Sequence, residues 1–140
     1  MKNSLFFFIL LFTFISCSKE QRVNKKLHGK WSVKIIQIED GEGFMYFDSL
    51  PNGTIEFISN QKYINANIIY NYVNLNGYNV IDSFKLIHEN YVFNSKSDRI
   101  IFNYNFELIN ARIILLTKKS LEFEYYDITK YKLVRFILFK

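Results

Sequence analysis

One cysteine, Cys17, and two histidines, His28 and His88, are the side chains with the clearest potential for nucleophilic or acid–base chemistry. A catalytic cysteine reacts as its thiolate and needs a basic partner beside it. Cys17 instead follows an apolar run from Leu5 to Ile15, which is shorter than the ~20 residues of a membrane-spanning helix. A lysine, a short apolar segment and a small residue at the cut are typical of an export signal. The pattern therefore predicts a cleaved export signal that ends just before Cys17.

The residues before Cys17 resemble the lipobox of bacterial lipoproteins. Phe14-Ile15-Ser16-Cys17 fits that motif, with Phe14 in place of the usual leucine, as in many Bacteroidetes envelope proteins. The resemblance implies that residues 1–16 are a signal peptide and that a diacylglycerol, with acyl chains such as palmitate, is attached to Cys17. It also implies a lipid-anchored protein of the outer membrane, on its periplasmic or cell-surface face. An ordinary signal peptide with a coincidental cysteine is the alternative.

Residues 17–26 are predicted to form a lipidated tether. Four basic residues, Lys19, Arg22, Lys25 and Lys26, supply much of the net charge of +5. An extended tether of this length reaches roughly 30 Å, enough to hold a domain clear of the bilayer. The basic residues suit either a solvated spacer or a segment resting on anionic headgroups. No predicted helix carries a basic face, so we expect no nucleic-acid partner.

Residues 27–140 form one predicted domain, because the chain after residue 16 is long enough for one core and too short for two. Isoleucine, phenylalanine, tyrosine and valine dominate it, and these residues favour β-strands. Apolar and polar residues alternate in several runs, as in Ile64-Asn65-Ala66-Asn67-Ile68, which predicts antiparallel strands with one dry face. The predicted strands are 30–38, 54–59, 62–74, 79–87, 90–94, 99–109, 112–117, 120–127 and 130–139.

Consecutive hairpins with one apolar face can fold as a sandwich or close as an up-and-down barrel. The first predicted strand opens with Leu27-His28-Gly29-Lys30-Trp31. This L-x-G-x-W start resembles the lipocalin signature and, more closely, small lipocalin-like lipoproteins of Bacteroidetes type. The resemblance implies an all-β, antiparallel, up-and-down β-barrel of eight or nine strands. It also implies closure of one end by Gly29 and Trp31, with Arg135 across the indole and Lys140 as second candidate.

Aromatic residues dominate the positions predicted to face the barrel interior. They either fill the lumen as core or line a pocket for an apolar or amphipathic molecule, and both alternatives require the same residues on the same face. The predicted ligand-binding residues are Tyr70, Tyr72, Phe102, Tyr104, Phe106 and Phe123.

The predicted function is non-enzymatic binding of a small apolar or amphipathic ligand by a membrane-anchored barrel. The alternative is a filled barrel that acts as a protein–protein interaction or structural module of the envelope. No catalytic motif surrounds His28 or His88, and Asp40, Glu42 and Asp48 match no known calcium loop. The sequence therefore predicts no catalytic residue, no metal and no cofactor.

Overall fold

A computed structural model describes residues 19–48, 50–74 and 76–140 of the chain. Within these ranges a short helix over residues 19–27 precedes nine β-strands. Alternating burial along most of the strands reproduces the alternating sequence, as in β3, where Ile55 and Phe57 are buried on either side of exposed Glu56. The strands are β1 (Gly29–Asp40), β2 (Met45–Asp48), β3 (Asn52–Ile58), β4 (Tyr63–Val73), β5 (Asn79–Phe93), β6 (Arg99–Tyr104), β7 (Glu107–Leu116), β8 (Ser120–Asp127) and β9 (Lys132–Phe139).

The strands close into a barrel because the first and last strands pair. All pairings are antiparallel, in the order β2-β1-β3 and onward to β9, and β9 also pairs with β1, where Ile36 lies opposite Phe136. β2 and β3 pair with successive halves of one edge of β1, at Ile36–Glu39 and Gly29–Ser32. β2 and β3 therefore occupy a single strand position in the barrel wall, and the barrel has eight strand positions. The predicted all-β, antiparallel up-and-down barrel is confirmed.

The inward faces of the strands form one continuous core between two ends. The closed end holds Trp31, near the start of β1, and the open end holds Asp40, where β1 finishes opposite Lys132. Full burial of one large apolar side chain stabilises a fold by about 1.5–3 kcal/mol. The largest fully buried side chains are Trp31, Tyr70, Tyr91, Phe57, Phe84, Phe102, Phe123, Phe136, Leu27, Ile36, Ile38 and Ile55.

Two predicted strands, 79–87 and 90–94, are one strand, β5. A bulge makes this continuity possible, because Ala66 pairs with Leu86 while Ile64 pairs with Glu89. His88, within the bulge, has a φ of +53°, and its backbone N–H donates to the Asn65 side-chain oxygen at 2.7 Å. The extra residue shifts the inward positions of β5 from even numbers (Phe84, Leu86) to odd numbers (Tyr91), so the same face of the strand points inward on both sides of the bulge.

The predicted strand 99–109 is two strands joined by a tight turn. Tyr104 lies opposite Glu107, which leaves Asn105 and Phe106 as a two-residue loop. Both have positive φ, +49° and +66°, as the two central residues of a type I′ hairpin turn require. The strand predicted over 99–109 therefore ends at Tyr104, and a new strand begins at Glu107.

The short strand β2 was predicted as part of a loop. A turn beginning at Asp40 returns the chain to β1: Gly43 N donates to the Asp40 carbonyl oxygen at 3.0 Å, and Phe44 N donates to Asp40 Oδ1 at 2.9 Å.

In the described ranges, no helix has the length and apolar composition needed to cross a bilayer.

Candidate functional site

Trp31 lies at the closed end of the barrel, beside the end of the N-terminal helix. Its ring is fully buried, and Nε1–H donates to the Leu27 carbonyl oxygen at 2.7 Å. Lys140 Nζ lies 4.3 Å from the indole centroid and donates to the carbonyl oxygens of His28 at 2.6 Å and Lys26 at 3.0 Å. Burial lowers the pKa of Lys140. Lys140 is thus the cation that lies across Trp31.

Gly29 begins β1 at the same end. Its φ of +104° belongs to a region that side-chain-bearing residues rarely adopt. A Cβ at this position would lie 3.9 Å from Lys140 Cε. Gly29, Trp31 and Lys140 together form this end of the barrel.

The role implied for Arg135 is corrected by its position on β9. Val134 and Phe136 face the lumen, so Arg135 points outward. Its Nη2 donates to Glu124 Oε2 at 2.8 Å, and Arg112 Nε donates to Glu124 Oε1 at 2.9 Å. Burial opposes ionisation of Glu124, but the hydrogen bonds from Arg135 and Arg112 outweigh it and lower the pKa of this carboxyl group. Arg135 is therefore part of an ion-pair network on the outer wall.

The described part of the predicted tether is a helix packed against the closed end. Val23 contacts the core. Asn24 Nδ2 donates to the Ser59 carbonyl oxygen at 2.9 Å, and the buried Tyr91 hydroxyl donates to Asn24 Oδ1 at 2.5 Å. Burial, with the charge of Glu20, raises the pKa of Tyr91 to about 12. An extended spacer over 19–26 is therefore wrong, whereas Cys17 and residues 1–16 lie outside the described residues.

The middle of the lumen is filled by aromatic rings. The centroid of Phe84 lies 4.8 Å from Tyr104, 5.1 Å from Phe136, 5.5 Å from Tyr125 and 6.1 Å from Phe102. Such separations are those of aromatic rings in direct contact. The side chains that could have lined an internal pocket therefore pack against one another.

The predicted ligand-binding residues fall into three groups. Tyr70, Phe102, Tyr104 and Phe123 are buried in the lumen. Tyr72 is half-buried at the open end, where its ring lies 5.4 Å from that of Tyr46. Phe106 is fully exposed in the β6–β7 turn, because the chain reverses there instead of continuing inward. The prediction that Phe106 faces the lumen is wrong.

A charged cluster lies beneath the open end. Lys132, 4% exposed, donates from Nζ to Asp82 Oδ2 at 2.5 Å and to the Tyr70 hydroxyl at 3.4 Å. Its ammonium lies 5.5 Å from the ring centroids of both Tyr70 and Tyr72. Lys130 Nζ, nearer the solvent, donates to Asp82 Oδ1 at 2.6 Å. Lys132 is thus held by one carboxylate, one hydroxyl and two aromatic faces.

The pKa values of Asp82 and Tyr70 are shifted in opposite directions. Burial opposes ionisation of Asp82, but hydrogen bonds from Lys130 and Lys132 prevail and lower its pKa to about 2. Burial, followed by the charge of Asp82, raises the pKa of Tyr70 far above its usual value. The arrangement is one carboxylate shared by two lysines, with protonated tyrosines beside it, which suits a structural plug.

The sequence did not lead us to predict this cluster, although the two-residue period of β5 and β9 places both charged residues on the inward face. Lys132 shares the parity of Val134 and Phe136 on β9, and Asp82 shares that of Phe84 on β5. Period two therefore places both charges on the inward face. Asp127 lies opposite Lys132 on either side of the turn between β8 and β9, and this places the lysine at the rim of the core.

A groove lies in the barrel wall between β5 and the β6–β7 hairpin. It has a volume of about 780 Å³. Among the described residues, β5 pairs with β6 only from Tyr91 to Phe93. The lining residues are Lys85, Leu86, Ile87, Glu89, Asn103, Tyr104, Asn105 and Phe106. We call this the side groove; Ile87 and Phe106 are its exposed apolar residues.

The histidines and acidic residues weighed for chemistry have structural surroundings. His28 Nδ1 accepts from Ser59 N–H at 3.3 Å, and the exposed His88 ring stacks on Tyr63 with 3.7 Å between centroids. Asp48 Oδ2 accepts from Asn71 N–H at 2.8 Å. Across the described ranges no three histidine, cysteine or acidic residues come together as a metal site.

Comparison with known proteins adds similarities of fold only. No family model and no curated protein matches the chain. Among solved structures, a deswapped triple mutant of bovine odorant-binding protein is 11% identical, with 82% of this chain and 74% of that chain covered at a TM-score of 0.42. Aphrodisin, a sex pheromone from female hamster, is 13% identical over 81% and 74%, also at 0.42. A redesigned β-barrel is 12% identical over 85% and 95%, at 0.43. The strand order and the pairing of β1 with β9 establish the fold of this chain.

Proposed function

We propose that this chain is a lipid-anchored outer-membrane protein with a non-enzymatic binding role, and that it binds its partner on the outside of a filled barrel. The support for the anchor is the lipobox-like sequence that ends in Cys17. The support for outside binding is the packing of the lumen, where Phe84 contacts four other rings. Filling the core leaves the outer wall and the loops as binding surfaces.

The side groove is the part of the outer wall that best suits a partner. Its two walls are the edge of β5 before Tyr91 and the end of the β6–β7 hairpin, which are not paired with each other. An unpaired strand edge binds another extended segment through main-chain hydrogen bonds. Ile87 and Phe106 are 69% and 109% exposed, so they can contact the side chains of such a segment. The partner we propose is an extended segment of another envelope protein.

Site-specific photo-cross-linking in the native cells tests this proposal. A photoreactive phenylalanine analogue replaces Phe106 in one variant and Tyr131, which is exposed outside the groove, in a matched control. We expect one discrete protein adduct from position 106, its loss when Ile87→Lys is added, and no such adduct from position 131. Equal adducts at both positions, or an adduct that survives Ile87→Lys, would contradict groove binding.

A small amphipathic ligand is the second candidate, favoured by the size and lining of the same groove. Small-molecule sites commonly measure ~300–1,000 Å³ and combine apolar walls with a few polar groups, and the groove matches that range. Tyr104 and Phe106, two of the predicted ligand-binding residues, lie in it. Native mass spectrometry of protein purified from its own cells distinguishes the candidates. A bound small molecule that is lost in Phe106→Asp would favour the small-ligand candidate. A measured mass equal to that of the protein alone, together with the cross-link from position 106, would favour the protein partner.

A further inference from the structure

Five basic side chains meet at the closed end of the barrel. They surround a hollow of about 470 Å³ and come from three separated parts of the chain: the N-terminal helix, the β7–β8 turn and the residue after β9. We call this surface the basic face. Its members are Arg22, Lys25, Lys26, Lys118 and Lys140.

The basic face has a surplus of positive charge. Each of its lining residues is a lysine or an arginine. The nearby acidic residue Glu20 is engaged by Lys62, with 2.6 Å between Nζ and Oε1. Lys140 is held over Trp31 and cannot turn away without losing its two carbonyl bonds. Like charges held together in this way repel one another, and an anionic surface relieves that repulsion.

The position of the anchor identifies that anionic surface. Cys17 precedes the helix at Lys19 by two residues, which span at most about 7 Å in any conformation. The helix itself is fixed to the barrel through Val23 and Asn24. Lipid on Cys17 therefore brings the closed end, rather than the open end or the side groove, against the bilayer.

We propose that the basic face lies on the anionic lipid headgroups of the membrane that holds the anchor; this orientation rests on the proposed lipidation of Cys17. Each basic residue near an anionic bilayer adds to its attraction, and Lys118 and Lys140 extend the contact beyond the helix. The barrel then stands with its closed end on the membrane, its side groove on the flank and its open end facing away.

Vesicle binding of the chain from Ser18 onward tests the surface without the lipid. This piece contains the helix and all nine strands, and the described core uses no residue before Val23. Co-sedimentation compares phosphatidylcholine vesicles with vesicles that contain one third phosphatidylglycerol, at low and high salt. The variant is Lys25→Glu/Lys118→Glu. The control, Lys34→Glu/Lys85→Glu, makes the same charge change at two exposed lysines outside the basic face.

We expect binding to the anionic vesicles alone, weakened by salt. The basic-face variant should lose at least about 30-fold in partition coefficient, because it removes two basic residues and adds two acidic ones, and the control should lose less than threefold. Equal losses in the two variants, or no preference for anionic vesicles, would overturn the proposal. Mass spectrometry of the full-length protein from its own cells tests the lipid anchor separately. An unmodified Cys17 would refute the lipidation and the orientation that rests on it. An acylated Cys17 without binding to anionic vesicles would refute the orientation alone.

Discussion

Replacing Asp82 with asparagine removes the carboxylate that neutralises a buried lysine. Lys132 is 4% exposed, and its ammonium lies 2.5 Å from Asp82 Oδ2. Its other polar side-chain contact is the Tyr70 hydroxyl, at 3.4 Å. After Asp82→Asn, the amide oxygen can still accept a hydrogen bond, but the ammonium has lost its counter-charge and remains out of water.

The cost follows from the burial of the pair. Removing one member of a buried ion pair typically destabilises a protein by about 3–5 kcal/mol, because an uncompensated charge stays inside. Replacing both members by neutral groups of similar size is often close to neutral. We therefore expect Asp82→Asn to lower the free energy of unfolding by about 3–5 kcal/mol, and Asp82→Asn/Lys132→Met to recover most of that loss.

Urea denaturation followed by Trp31 fluorescence measures these changes at pH 7, because Trp31 is the single tryptophan and is fully buried. The matched control is Glu20→Gln, which breaks the exposed pair with Lys62, where side-chain exposures are 38% and 46%. Exposed pairs contribute about 0–1 kcal/mol. An Asp82→Asn loss no larger than that of Glu20→Gln, or a double variant no more stable than Asp82→Asn, would refute the buried-pair reasoning.

Three further predictions concern pH, the closed end and the β3–β4 contact. The folded-state pKa of Asp82, about 2, lies below its usual value of 3.8, so ionised Asp82 stabilises the fold above pH 4 and this stabilisation is lost as pH falls toward 2. Acid titration of wild type against Asp82→Asn should show the difference in unfolding free energy shrink over this range, and a constant difference would contradict the reasoning. Lys140→Ala should shift Trp31 emission and cost about 0.5–2 kcal/mol, while Lys140→Arg should restore both; unchanged emission in Lys140→Ala would exclude the cation–indole contact. A Cβ at Gly53 would lie 2.2 Å from a β4 carbonyl oxygen, whereas a Cβ at Gly43 would meet nothing within 4 Å. Gly53→Ala should therefore lower the melting temperature much more than Gly43→Ala does. Equal effects would contradict the close approach of β3 to β4.

The barrel could be predicted because its strands carry period two almost throughout. In β8 and β9, Phe123 and Phe136 face each other across the pairing and both point inward. Closure needed a further signal, and the Gly29–Trp31 start supplied it by resemblance. The position of Lys140 over the indole depends on where β9 ends, which alternation alone places within a few residues.

The remaining features depend on contacts between distant residues. The Asn105-Phe106 turn lacks the glycine that marks most type I′ turns, so sequence alternation ran through it. The N-terminal helix is too short to be stable alone; it is fixed by Asn24, which contacts Tyr91 across 67 positions of sequence. Its polar composition favoured a spacer, and only the assembled barrel provides the surface on which it packs. The same holds for the side groove, which appears only where β5 and β6 separate.

An X-ray structure of the mature protein, purified from its own cells without delipidation, most directly tests the claim that the barrel is filled and binds on its outside. We expect Phe84 against Phe136 at a centroid separation near 5.1 Å, with protein side chains alone between Trp31 and Lys132. Electron density for a co-purified molecule inside that stretch of the lumen, with Phe84 displaced, would contradict it.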